Sequence, residues 1–234
     1  MTPFRPAALL CAALLAAAAP NAMALDFLEA AGTDAAAITP VRDAFRVQVG
    51  GGTVPGVAGS FGGLRREINW DAVPAGRSDP NLLPANFFNV NSPRGAVFST
   101  PGSGFLVSSN AGDASPTLFG FGDQFAAFSA QKIFSAQGST QMDVLFFVAG
   151  TDQRATTSAF GAVFTDVETA GLTRMQFFDL HDQLIGERDV LTSANQGFSF
   201  LGAYGANIAR VRIFTGDSAL LGNGLQSNPG GDLV

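Results

Sequence analysis

Glycine and proline cut this chain into short pieces, and that punctuation limits what it can build. There are 28 Gly and 12 Pro in 234 residues. The gaps between them are filled with Phe, Val and Ile, which suit a pleated, half-buried surface. Short apolar runs between frequent breakers predict many short strands closed into a sandwich or barrel. The expected strands cover 65–71, 87–91, 96–100, 104–109, 131–136, 142–148, 158–167, 173–180, 184–191, 198–203 and 208–215.

The later strands are the most readable. Asp179 to Gln183 separates two apolar runs, which is a hairpin signal. Arg210 and Arg212 alternate with Ala209, Val211 and Ile213, giving one wet and one dry face, with Ile208 breaking the pattern at the start. The run DVLFFVAG (143–150) is apolar on both faces, as a central strand covered on both sides would be. Helix is scarce: Thr39 reads as an N-cap, Pro40 as the first helical residue and Gly50 to Gly52 as the stop. The expected fold is all-β, a jelly-roll-like β-sandwich forming a single domain over 25–234, with at most one short N-terminal helix.

The first residues have a different purpose. Arg5, an Ala/Leu run over 7–19 and the sequence Asn21-Ala22-Met23-Ala24 form a signal peptide with cleavage expected after Ala24. The apolar run is shorter than the roughly 20 residues a membrane span needs. The product is therefore expected to be secreted, extracellular or periplasmic, with no membrane insertion once the signal is removed. Cleavage after residue 24 of 234 leaves 210 residues, a length whose core suffices without covalent staples. Its only Cys, Cys11, goes with the signal, and with it disulfides, thiolate metal sites and Cys nucleophiles.

Charge and composition remove further classes. Without Arg5 there are 12 basic residues against 19 acidic ones, and Lys132 is the only Lys. Such a balance repels phosphate backbones, so no nucleic-acid partner is expected. His181, the only His, falls in the expected hairpin turn, and no G-x-S-x-G elbow occurs, so a Ser/His/acid triad is not supported. The Gly-rich stretches 51–63 and 99–105 lack the Lys-Ser/Thr and the following helix of a phosphate cradle. Glycoside hydrolysis needs two carboxyl groups about 5–10 Å apart. Glu67 and Asp71, four residues apart on one strand, would stand roughly 13 Å apart.

Two binding chemistries stay open. The acids are mostly Asp, suited to turns and equally to calcium, which takes oxygen ligands only. Asp166, Glu168 and Asp179 are the candidate ligands, with Asp182 and Asp232 supplying further acids, although no D-x-D-x-D-G loop accompanies them. A sugar face would draw on Trp70, Asp71, Asn89, Asn91 and Tyr204. If 65–71 is a strand, Leu64, Arg66, Ile68 and Trp70 face the core, and Arg65, Glu67, Asn69 and Asp71 face out.

Three blocks, RREINWDAVP (65–74), NLLPANFFNVNSPRGAVFSTPGSGFLVSS (81–109) and the strands between 159 and 213, resemble a group of secreted bacterial proteins of the exosortase-sorted (PEP-CTERM) surface-protein style. The resemblance covers most of the mature chain. It implies a compact β-sandwich outside the cytoplasm and no particular chemistry. The sequence departs from that style in lacking a Pro-Glu-Pro sorting tail, so free secretion is expected. The expected role is non-catalytic, either binding or contributing to a matrix. Extracellular polysaccharide or cell-surface components are the expected partners, and calcium is the only candidate ion. The alternatives are a carbohydrate-binding module and a carboxylate-dependent glycoside hydrolase.

Overall fold

The computed structural model describes residues 24–222 and 224–234. The expected signal peptide lies outside the described residues except for Ala24. In chain order the strands are β1 Asp26–Gly32, β2 Ser60–Phe61, β3 Arg65–Arg66, β4 Ala96–Ser99, β5 Gly104–Val107, β6 Phe134–Gln137 and β7 Gln141–Phe146. They continue as β8 Thr157–Thr165, β9 Arg174–Phe178, β10 Leu184–Asp189, β11 Phe198–Ile208, β12 Arg210–Phe214, β13 Leu220–Leu221 and β14 Leu225–Gln226. The helices are α1 Ala35–Val49 and α2 Phe87–Val90.

The strands form an all-β, sandwich-like body. The largest sheet has five strands in the order β10-β9-β12-β7-β4, and a three-stranded sheet runs β1-β11-β8. A four-stranded sheet, β14-β13-β6-β5, and the β2-β3 pair complete the set. Side-chain alternation explains the layers. Along β11, Leu201 and Ala203 join Met175, Phe177, Val211 and Ile213 of the large sheet in one core. Phe198 and Phe200 point the other way and pack on Ile38 and Phe45 of α1. In β5, Phe105 and Val107 join the main core while Leu106 enters a third cluster with Phe119 and Leu220.

The β9–β10 hairpin forms as expected, with Leu184 opposite Phe178. The alternation in β12 holds as well: Val211 and Ile213 are buried, and Arg210 and Arg212 lie on the outer face. There Arg212 makes a two-pronged contact with Asp143 at 2.8 and 3.0 Å, and Arg210 stacks 3.7 Å over the Phe178 ring. β7 is central by pairing, but only one of its faces enters the core; Asp143 and Leu145 on the other are half-buried.

Three local expectations are overturned. α1 starts at Ala35, capped by Asp34, whose Oδ1 accepts the Ala37 N–H at 3.0 Å. Pro40 sits inside the helix, so its missing N–H removes one ladder bond. Ile38 and Phe45 on the apolar face carry the helix through, and it ends at Gly50, whose φ of 87° suits glycine. The expected strand at 87–91 is the single helical turn α2, which lets adjacent Phe87 and Phe88 both turn inward.

The stretch 65–71 is a strand only at Arg65 and Arg66. Trp70–Ala72 forms a 3-10 turn, capped by Asn69 through a 2.9 Å bond from the Asp71 N–H. The expected facing of the two arginines is therefore reversed. Arg65 is the sheltered one, its guanidinium 4.4 Å over the Phe61 ring and donating to the Gly50 carbonyl at 2.6 Å, while Arg66 is exposed.

Candidate functional site

Two places stand out, a groove and a corner. The groove has a volume of about 900 Å³ and runs along β8. β8 is the edge of its sheet, so one side of its main chain is unpaired. The Asp166 N–H donates to the Gly197 carbonyl, and ladder alternation then turns the amides and carbonyls of 159, 161, 163 and 165 away from β11. The Thr157 hydroxyl serves both main-chain groups of Ala159. Gly161, Val163 and Thr165 have no main-chain partner on that side among the described residues. Phe125, Phe128 and Phe134 also line the groove, and the large sheet contributes Met142, Val144 and Phe146.

Its charge is one-sided. Arg42, Arg46, Arg65, Arg66 and Arg94 line it, although the whole chain carries a net charge of −6. Glu67 is the only carboxylate side chain among the lining residues, and both its oxygens are engaged: Arg46 donates at 2.8 and 2.6 Å, and Arg65 at 2.7 Å. Lys132 also lines it but is buried, donating to the Val73 carbonyl at 2.6 Å and to Ser78 Oγ at 2.9 Å.

The expected sugar-face residues have separate uses. Trp70 is half-buried in the groove wall, stacked on Phe134 at 4.2 Å and edge-on to Phe88. Asp71 accepts the N–H groups of Gln131 and Lys132 at 3.1 and 2.8 Å, holding that segment in place. Asn89 is buried as a strut between α2 and residues 150–151. Asn91 is exposed at the end of α2, and Tyr204 packs in the α1 cluster.

The candidate metal ligands divide similarly. Asp179 lies in the β9–β10 turn, where its Oδ1 accepts the N–H groups of His181 and Gln183 at 2.8 and 3.0 Å. His181 is exposed beside it. Asp166 and Glu168 sit together at the other place, the corner where the chain leaves β8. Asp166 has a φ of 66° and is fully buried, and its Oδ2 meets no donor. Burial, with the charges of Glu168, Asp232 and Asp123 added, pushes its carboxyl up to about 7.

Asp232 is raised above its ordinary value by burial, despite accepting the Glu168 and Thr169 N–H groups at 3.3 and 2.9 Å. The chain packs so tightly there that a Cβ on Gly216 would stand 1.9 Å from the Asp232 carbonyl oxygen. Asn195 completes the corner: its amide stands 3.1 Å from Asp166 Oδ1 and against Glu168 Oε1. Sequence reasoning missed Asn195 and Asp123, because an Asn in a polar loop and a lone Asp after Gly carry no spacing signal. It missed the groove's arginines for the same reason, since Arg42, Arg46 and Arg94 meet Arg65 only in the folded chain.

Among the described residues no three His, Cys, Asp or Glu side chains are grouped to hold a metal ion, and no described helix is long and apolar enough to cross a membrane. Comparisons of the chain with family models, curated proteins and solved structures give no match.

Proposed function

We propose that this chain is an exported, non-catalytic protein that binds an extended acidic polypeptide segment of a cell-surface or matrix component along β8. The observation that carries the reading is the unpaired edge of β8 lining an apolar groove ringed by arginines. A strand laid there would pair with the main-chain groups of Gly161, Val163 and Thr165, and alternate side chains would enter the Phe-lined floor. Its acids would meet Arg42, Arg66 and Arg94. Export is supported by where the fold begins: Leu25 is already a core residue, so cleavage after Ala24 would leave every described strand in place.

A second reading, an acidic polysaccharide as ligand, draws on the half-buried Trp70 beside the same arginines. A carboxylate-dependent hydrolase has less support, because Glu67 is the only carboxylate side chain lining the groove and is tied to two arginines.

The test is a titration of the mature protein with an alternating Asp-Val peptide and, separately, with polygalacturonate. Val163→Pro removes an outward N–H and leaves the β11 ladder intact. It should weaken peptide binding at least about tenfold and leave circular dichroism unchanged. Arg66→Glu should weaken both ligands. Binding of polygalacturonate alone would replace the first reading with the second, and binding of neither would end both. N-terminal sequencing of protein recovered from culture medium checks export, with Leu25 expected first.

A further inference from the structure

We propose that Asp166, Glu168 and Asn195 form a calcium site that ties the end of β8 to the 193–197 loop. Two observations beyond the local acidity point to a cation. Asp166 is fully buried with Oδ2 lacking any donor, and a carboxylate removed from water needs a partner. Two of the other three buried oxygens without partners lie in segments bonded to the same corner. Of the four such atoms among the described residues, Asp166 Oδ2, Ser193 Oγ and Gln124 Oε1 lie in three segments that bond to one another. The Ser193 N–H donates to the Val167 carbonyl at 2.8 Å, and the Gln196 N–H to the Gln124 carbonyl at 2.6 Å.

Asn195 stands beside both carboxylates. A bound cation would draw the Asn195 amide oxygen toward the two carboxylates. With its nitrogen turned inward, the amide donates to both Asp166 Oδ1 and Glu168 Oε1. Even then Asp166 Oδ2 is left without a donor.

The donor set selects the ion. Two carboxylates and an amide carbonyl offer oxygen only, which excludes a zinc preference and suits a hard cation. Magnesium keeps several of its waters, and the buried Asp166 leaves little room for them; calcium accepts six to eight oxygens in irregular geometry and would complete its shell from main-chain carbonyls and water. Glu168 and Asn195 are exposed, which gives the ion a path in. Asp232 acts as a positioning residue, holding the N–H groups of Glu168 and Thr169.

The test compares thermal unfolding of the mature protein in chelator and in calcium. An ion that binds only the folded state raises Tm by mass action. At calcium about 100-fold above Kd the rise should be roughly 5–10 °C for a chain of this size. Asp166→Asn combined with Glu168→Gln should abolish that rise while the variant still unfolds cooperatively. Asp179→Asn, in the hairpin turn, should keep it in full. No rise for the wild-type protein at 10 mM calcium (~10 mM, far above a typical extracellular-module Kd), an equal rise in the double variant, or loss of the rise in Asp179→Asn would each overturn the proposal. This site and the groove are independent: peptide binding can fail with the calcium response intact, and the reverse.

Discussion

Asp182 and Asp166 hold the same left-handed backbone, with φ of 56° and 66°, in opposite surroundings. Asp182 occupies the β9–β10 turn with its side chain in water, 3.1 Å from Arg210. Asp166 turns the chain away from β8 with its side chain sealed in, near the charges of Glu168, Asp232 and Asp123. Backbone conformation and residue type are shared, so neither explains the difference. The surroundings do: the outer face of the large sheet supplies Arg210 and Arg212 to its acids, whereas the corner supplies more acids.

The largest effect that would sharpen this contrast lies in the pH dependence of stability in chelator. The folded pKa of Asp166, about 7, exceeds its ordinary value of 3.8, so between those values the folded state holds the proton more tightly than the unfolded one. Stability therefore falls as pH rises from about 4 to 7, by up to about 4 kcal/mol. Urea unfolding at pH 5 and pH 8 should show the part of that loss lying above pH 5, about 3 kcal/mol, and Asp166→Asn should remove most of it. Calcium should raise stability more at pH 8 than at pH 5, since it binds the ionised carboxylate. A chelated wild-type protein equally stable at both pH values would mean that the corner's charges are already compensated, and the contrast would fail.

On the other side of the comparison, Asp143 joins Arg212 and Arg210, at 2.8 and 3.4 Å, on the outer face. Asp143→Ala strands two partly sheltered guanidiniums and should lower stability by about 1–3 kcal/mol in urea unfolding. The sign is opposite to that of Asp166→Asn in chelator, although both changes delete one carboxylate. A loss below about 0.5 kcal/mol would place this network with ordinary surface pairs.

How much of this was legible follows from which signals are local. The β9–β10 turn and the two faces of β12 could be read because a strand's side chains alternate and a turn interrupts apolar runs. Residues 65–71 could not. The period of two was present, but Asn69 bonds the Asp71 N–H and draws Trp70 into a 3-10 turn, a local competition that the hydrophobic pattern does not record. α1 began five residues before the expected Pro40 because Asp34 was the better cap and the apolar face outweighed one lost bond. Asp166 and Glu168, read together from their alternate spacing, do share a corner, whereas Asp179 stands apart in the β9–β10 turn. Asn195 and Asp232 reach them only through tertiary packing, across 64 residues of chain in the case of the Asp232 to Glu168 bond. The groove was invisible for the same reason: an unpaired strand edge has no signature in its own sequence.

The smallest expected effect is the most direct test of whether surroundings decide. Asp182→Gly removes an acid whose side chain is 77% exposed and whose partner, Arg210, keeps Asp143 and the Phe178 ring. The lost pair is a surface one, worth a few tenths of a kcal/mol. Glycine relieves the left-handed backbone that Asp only tolerates, and loses more entropy on folding than the residue it replaces, so these two terms oppose each other. The net change in stability should stay within about 0.5 kcal/mol either way, measured by urea unfolding at pH 7. A loss above about 1 kcal/mol would mean that the turn acid is itself a structural partner. The separation between a solvated acid and a buried one would then be one of degree, and Asp179, bonded within the same turn, would have to be reconsidered with it.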